Sequence, residues 1–395
     1  MPGTSPVGRV SRDEIVALAS RLISIPSTSG DERAVMEEIF RWCTSVCLPF
    51  KVVASDQDRP NVVITLGEPA AGPTIVMNGH LDTVPVSDLV AWRTGPYDPT
   101  VSEDGKKLFG RGASDMKSSV AVMLHVMELL KDVPLRGSLQ AHIVSDEETG
   151  GALGTAFILE EIAAGRLRQP DYCLIGEKSD LKVRTAERGL LAVNVTCLGR
   201  ASHTAAARVT GINAIAKAAK AILALEKDID RFHPAVGKPV ISVNTIQAGV
   251  AHNVVPGECT FSVDRRLIPG ETRESVVAEI VATLDDVGSE DPSFRYELDI
   301  DPHKDHIPAN ITEDSSPIVK ALQTSITNLT GEEPEHFVAW AGATDGRFYR
   351  QAGIDTVGYG PGGENAHGAN EAVQIADLVT QARVYLATIT RLLSA

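Results

Sequence analysis

The chain has 395 residues, more than one hydrophobic core usually organises, and its 43% hydrophobic and 23% charged residues are the proportions of a soluble globular protein, here expected to have two domains. A formal net charge of −15 with no long basic run excludes the counterion release on which nucleic-acid binding depends, and no apolar stretch approaches the ~20 residues that cross a bilayer. Five scattered cysteines exclude a disulfide framework, and the absence of an apolar leader makes the cytoplasm the expected location.

Residues 13 to 47 read as two helices separated by a turn from Ser24 to Gly30, followed by a strand from Asn61 to Leu66. Thr74 to Met77 is a short apolar run ending in Asn78-Gly79-His80, the pattern of a strand buried on both faces. Beyond Asp115, the residues Val120, Met123, Leu124, Met127 and Leu130 recur at helical spacing. The rhythm repeats with a strand from Leu139 to Val144, the acidic run Asp146-Glu147-Glu148, a helix from about Ala152 and a strand from Asp171 to Ile175. Buried strands alternating with amphipathic helices imply an α/β domain, its mostly parallel sheet covered by helices on both faces.

From about Ala186 the pattern changes to a strand (Leu190 to Leu198), a helix (Ile212 to Leu225), strands at Val240 to Ile246 and Glu258 to Arg266, a helix (Arg273 to Leu284) and a strand (Phe294 to Ile300). This is the β-α-β-β-α-β order of a ferredoxin-like α+β unit. The first pattern then resumes with a helix from Ser316, a strand from His336 to Ala341, a helix from Thr344, a strand from Asp355 to Tyr359 and a terminal helix from Gln374. The expectation is a discontinuous domain of residues 1–185 and 299–395, interrupted by an inserted domain of residues 186–298.

Ligands of open α/β sheets gather beyond the carboxyl ends of the strands. Three apolar runs end there in metal-ligating residue types: one leads to His80 and Asp82, one to Glu147 and Glu148, one to Glu177. Asp115 stands at a helix start, and His367 in the Gly-rich loop Gly362 to Gly368. So many carboxylates at one edge repel unless cations neutralise them. Two imidazoles and three carboxylates, one of them bridging, fit two divalent ions about 3.5–4 Å apart, and the lack of thiolates points to zinc, with cobalt or manganese as alternatives.

Each residue also has a plainer reading. A lone strand-end histidine is usually a capped or core residue, and paired glutamates usually a solvated loop. His125 and His142 are read as packing residues. Gly150-Gly151-x-x-Gly154 is placed as a nucleotide loop would be, but acidic side chains stand where phosphate would sit, so these glycines are read as allowing close helix packing. No Gly-x-Ser-x-Gly elbow is present, which sets aside a serine hydrolase.

The motifs Gly79-His80-Leu81-Asp82-Thr83-Val84-Pro85, Gly110-Arg111-Gly112-Ala113-Ser114-Asp115-Met116-Lys117, Asp146-Glu147-Glu148 and Ile175-Gly176-Glu177 occur in that order. Through them the chain resembles, over nearly its whole length, the metallohydrolase family of acetylornithine deacetylase, succinyl-diaminopimelate desuccinylase, aminoacylases and glutamate carboxypeptidases. The resemblance implies that His80 and Glu177 hold one metal, Glu148 and His367 the other, and Asp115 bridges them. It makes Asp82 the carboxylate that orients His80, and Glu147 the general base toward a water acidified by the metals.

The resemblance further implies that the inserted domain is a lid and dimerisation domain. His203, in Ala201-Ser202-His203-Thr204, would reach the site of the partner in a homodimer and serve as oxyanion donor. Asn244 and Arg266 correspond to substrate-holding lid residues, Arg266 through a carboxylate that matches its fork, and Gly342 to a substrate-contacting turn. Their plainer readings are a turn Asn, a solvated strand Arg and a strand-to-helix connector. Lys178 stands where many members have Pro; it is either a second anion contact favouring acidic substrates or a solvent-facing side chain. Arg208 and His252 are further departures. The expected function is hydrolysis of the amide bond of a small N-acyl amino acid. A dipeptidase or carboxypeptidase-type exopeptidase is the alternative; a non-catalytic metal-dependent binding protein is the alternative of another class, against which the presence of Glu147 speaks.

Overall fold

The computed structural model describes residues 5–300, 306–335 and 342–394. They divide into two compact units, one running to Thr185 and resuming at Thr312, the other spanning Ala186–Ile311 and including Gly342 and Ala343. The second unit thus extends beyond the boundary at residue 298 expected from sequence texture. Its last segments, His306–Ile307 and Asn310–Ile311, pair with Leu190–Leu191 and Ala186–Glu187 and so belong to its ladder.

The first unit is built on a six-stranded sheet in the spatial order Phe50–Val53, Asn61–Gly67, Ser138–Val144, Thr74–His80, Tyr172–Ile175, Asp355–Gly358. The last four are mutually parallel, while Asn61–Gly67 runs antiparallel to both its neighbours. Thr74–His80 and Ser138–Val144 are buried along their whole length, the first as its apolar run Thr74 to Met77 predicts, the second although it carries Gln140 and His142. Phe50–Val53 escaped sequence reading because it is an edge strand of four residues with a single buried position.

The Lys117–Leu130 helix buries every residue except Glu128 and is therefore not amphipathic; it packs on the sheet and against the helices Arg12–Ile23 and Ile375–Leu393. Each fully buried Leu or Val there contributes about 1.5–3 kcal/mol. The terminal helix buries one apolar stripe, Ile375, Leu378, Ala382, Tyr385, Leu386 and Ile389, with Val379 and Leu392 half-buried. His125 is buried and its Nε2 accepts the N–H of Ser11, while the side chain of Ser11 caps the first of these helices. The strand expected at His336–Ala341 lies outside the described residues. No helix among the described residues is long and apolar enough to cross a membrane.

A small four-stranded antiparallel sheet, made of Thr100–Val101, Lys107–Phe109, Ala372–Gln374 and Gly363–Glu364, joins parts of the first unit far apart in sequence. Its segments are two or three residues long, too short to show a period of two.

In the second unit, Gly189–Leu198 pairs on one side with Glu258–Leu267 and on the other with Arg295–Asp299, and Val240–Ala248 forms the edge. The alternating burial of Gly189–Leu198 and Glu258–Leu267 gives one apolar face, which joins the helices Ala214–Leu225 and Arg273–Glu290 in a core around Val193, Val195, Phe261 and Leu284.

Candidate active site

Parallel register brings the first unit's chemistry to one edge. His80 is paired with Val144 and Asn78 with Ile175, so Glu177, two residues beyond Ile175, comes level with His80. Beyond Val144 the chain turns through Asp146, whose backbone is left-handed (φ 72°). The Asp146 carboxylate secures that turn: Oδ2 accepts the N–H of Leu153 at 2.9 Å, and Oδ1 takes the Thr149 hydroxyl and an ion pair from Arg59 at 2.9 Å. Arg59 in turn grips buried Glu32 with two nitrogens. This turn swings Glu147 and Glu148 over the strand ends and delays the next helix to Thr155. Gly150 and Gly154 serve the turn, Gly150 being left-handed (φ 114°) and a Cβ on Gly154 lying 2.0 Å from the Ser145 carbonyl oxygen, whereas Gly151 does allow close helix packing, a Cβ there lying 2.8 Å from the ring of Phe348 in the helix Gly346–Gln351.

The ligand atoms converge on Asp115. His80 Nδ1 is 2.9 Å from the Asp82 carbonyl oxygen, which can only accept, so Nδ1 carries the proton and Nε2 presents its lone pair. That Nε2 lies 3.2 Å from Asp115 Oδ1 and 3.2 Å from Glu177 Oε1. His367 Nε2 lies 3.1 Å from Asp115 Oδ2 and 3.2 Å from Glu148 Oε2. Asp115 therefore gives one oxygen to each imidazole. Separations of this size match the edges, about 3.3 Å, of a tetrahedron around an ion with ligand bonds of about 2.0–2.1 Å. The donor set fits two divalent ions, and one end is buried (His80, 1% exposed) while the other is open (His367, 54%).

Distance does not separate the roles of the two adjacent glutamates. Carboxylate and imidazole atoms of His80, Glu147 and Glu177 come within 4.8 Å of one another, as do those of His80, Asp115 and Glu148. Burial pushes all three glutamates up, Glu177 to about 7, and the surrounding carboxylates add to it. Burial also acts on Asp115, but hydrogen bonds with His367 and His80 outweigh it and hold Asp115 well below the usual range; the bond to Asp115 carries His367 up to about 9. Burial and mutual repulsion thus disfavour the charged glutamates, and divalent cations would offset that charge.

Two carboxylates brace the cluster. Asp82 Oδ1 and Oδ2 accept the backbone N–H groups of Glu147 and Glu148, and Oδ2 also accepts the Ser29 hydroxyl. Glu371, which sequence reading missed, gathers the turn that carries Asp115. Arg111 next to the Gly112–Asp115 turn was the available signal, because a buried guanidinium requires a carboxylate somewhere in the fold. His142 lies apart from the cluster, between the Tyr349 hydroxyl and the side-chain oxygen of Gln140.

Lys178 donates to Asp180 at 2.9 Å. Four expected substrate residues belong to the second unit. His203 is exposed, and its Nδ1 accepts the N–H of Ala205, so in the neutral ring Nε2 carries the proton. Asn244 sits at a bulge in the edge strand and accepts from the Ser242 hydroxyl. Arg266 forks onto Asp264, with Nε to Oδ1 at 2.7 Å and Nη2 to Oδ2 at 3.0 Å. Gly342 is exposed with open space about its α-carbon.

The profile of Peptidase family M20/M25/M40 matches residues 76–391. The chain belongs to this family. Like others of the M20 family, it is a hydrolase of amide bonds. It is 33% identical over 334 residues, 82% of this chain and 84% of the relative, to a protein of Nitrosomonas eutropha named succinyl-diaminopimelate desuccinylase. A protein of the same name from Marinobacter nauticus is 32% identical over 331 residues, again 82% and 84%. Among solved structures, a tripeptidase from Staphylococcus aureus superposes with a TM-score of 0.78 at 21% identity, covering 97% of this chain and 99% of that one. A dinuclear metal-binding M20 peptidase from Bacillus subtilis gives 0.74 at 17%, covering 96% and 98%. These likenesses agree with the mixed α/β fold and its mostly parallel sheet.

Proposed function

We propose that this enzyme hydrolyses the amide bond of a small N-acyl amino acid, of the N-succinyl or N-acetyl kind, at two zinc-type ions, His80 and Glu177 holding one, Glu148 and His367 the other, with Asp115 between them. The observation that carries this reading is the division of the Asp115 oxygens between His80 and His367. The bound ions would supply positive charge that acidifies a water and polarises the scissile carbonyl. Glu147, pushed up by burial beside the cluster, takes the proton of the attacking water and returns it to the departing amine nitrogen.

The second unit serves as lid and dimerisation domain. His203 of a partner subunit donates from Nε2 to the oxyanion, the tautomer that Ala205 favours. Arg266 exchanges Asp264 for a substrate carboxylate, with Asn244 and Gly342 lining the same substrate and Lys178 reading an acidic acyl group. A homodimer is supported by the edge strand Val240–Ala248 with exposed Ile246, and by the helix Ala214–Leu225 with exposed Ile215 and Leu223. Five free thiols agree with a reducing, cytoplasmic setting.

The test is amine release from N-succinyl, N-acetyl and N-formyl amino acids and from dipeptides, using enzyme stripped by chelator and reloaded with zinc, cobalt or manganese. Release from the N-acyl amino acids that returns with metal is the expected result. Release from dipeptides alone would replace the proposal with an exopeptidase, and none from any substrate with two ions bound would leave a binding role.

A further inference from the structure

Glu371 carries a carboxylate on which five donors converge, with its side chain 1% exposed. Its Oε1 accepts the Ser114 N–H at 2.9 Å, the Ser114 hydroxyl at 3.1 Å and the Asp115 N–H at 3.1 Å. Its Oε2 accepts Arg111 Nη1 at 2.7 Å and the Gly112 N–H at 3.0 Å. The turn that presents Asp115 is therefore wrapped around this one side chain. Arg111, equally buried and lying over the Trp92 ring, uses Nη2 to donate to the His367 carbonyl at 3.2 Å. The backbone on either side is also fixed: Gly110 donates to the Glu371 carbonyl at 3.0 Å, and the Ala372–Gln374 strand pairs with Lys107–Phe109.

We propose that Glu371, acting with Arg111, is the positioning residue that sets Asp115 and His367 at the spacing the outer ion requires. The inference rests on the two-ion reading above. His80 ends a buried strand and Glu177 closely follows another, so the sheet itself places them. Asp115 and His367 are carried by loops, and those loops meet at the Arg111–Glu371 pair. A carboxylate is required there because all five groups are donors; an amide would turn its own N–H toward two or three of them. Loss of Glu371 should weaken the outer ion, which takes both Asp115 and His367, more than the inner ion, which shares only Asp115.

The experiment titrates zinc or cobalt into chelator-stripped wild type, Glu371→Gln, Arg111→Lys and His367→Ala, reading affinity and stoichiometry by calorimetry and metal analysis, with circular dichroism on each stripped protein. His367→Ala marks which binding class is the outer ion. Glu371→Gln is expected to bind one ion about 10–100-fold more weakly, the same class that His367→Ala loses, and the other ion, which shares only Asp115, distinctly less so. Arg111→Lys, which keeps a charge beside Glu371 but loses the arm to His367, should weaken that class as well. Wild-type titration of Glu371→Gln, or equal weakening of both ions together with unfolding of the stripped protein, would overturn the inference and leave Glu371 a scaffold residue. A wild-type protein that binds only one ion overturns the two-ion reading itself, and this is seen before any variant is measured.

Discussion

The carboxylate of Asp82 holds the backbone of Glu147, Oδ1 accepting its N–H at 3.1 Å, more closely than it holds the ring of His80, whose Nδ1 is 3.4 Å away. The ring is oriented chiefly by the Asp82 carbonyl at 2.9 Å. One residue therefore serves His80 through its main chain and the Glu147-Glu148 turn through its side chain, a division that sequence spacing could not reveal.

Asp82→Asn separates the two roles. The carbonyl that orients His80 survives, while the side-chain amide sets an N–H against the N–H of Glu147 or Glu148. The expected result is a fall in kcat of about 10–100-fold with inner-ion affinity nearly unchanged. Loss of the inner ion, seen by metal titration, would show that the carboxylate orients His80 after all.

Glu147→Ala tests the base. Turnover should fall by about 10²–10⁴ while metal stoichiometry stays at the wild-type value. Because Glu147 lies in the same close group as His80 and Glu177, the alternative is concrete: a variant that loses an ion identifies Glu147 as a ligand.

The cross-subunit role of His203 predicts complementation. His203→Ala and Glu147→Ala should each be inactive alone, yet an equal mixture after subunit exchange should regain about a quarter of wild-type activity, since half the dimers carry one complete site. Absence of recovery, with hybrid dimers confirmed by mass, confines His203 to its own subunit or to no catalytic role.

Lys178→Ala should lower the preference for N-succinyl over N-acetyl substrates about tenfold, the worth of one charge-assisted hydrogen bond. The structure already gives this ammonium a partner in Asp180, so unchanged selectivity would leave Lys178 as that partner and no more.

The legible parts of the sequence were those governed by local pattern. The apolar run Thr74 to Met77 and the strand pattern Leu139 to Val144 marked the two central strands, and the acidic and imidazole groups beyond them announced the cluster before any geometry was available. Illegible were features that depend on distant partners. The four-stranded sheet is made of segments too short for periodicity, and Glu371 acts on residues about 260 positions away. The end of the second unit was missed for a similar reason: Asn310–Ile311 is a two-residue strand known only by its partner, Ala186–Glu187. Gly150 was visible, but its left-handed backbone was not.

His142 gives a prediction about acid stability that is independent of the metals. It is fully buried in the first unit, Nδ1 accepting the Tyr349 hydroxyl at 2.8 Å and Nε2 donating to Gln140 at 3.0 Å, and burial pushes it down to about 3. The folded chain therefore keeps the ring neutral in a range where the unfolded chain protonates it, below about 6.5. Between those two values the unfolded state binds the additional proton, so stability falls as pH drops, by up to about 1.4 kcal/mol per pH unit from this one group. His142→Asn retains an acceptor toward Tyr349 but cannot titrate. It should be less stable near neutrality by about 1–3 kcal/mol, having lost the bond to Gln140, and its stability should decline less steeply than wild type below about pH 6. Urea unfolding of the chelator-stripped proteins across this range measures both slopes, and parallel slopes would mean that the folded protein protonates His142 as readily as the unfolded chain does.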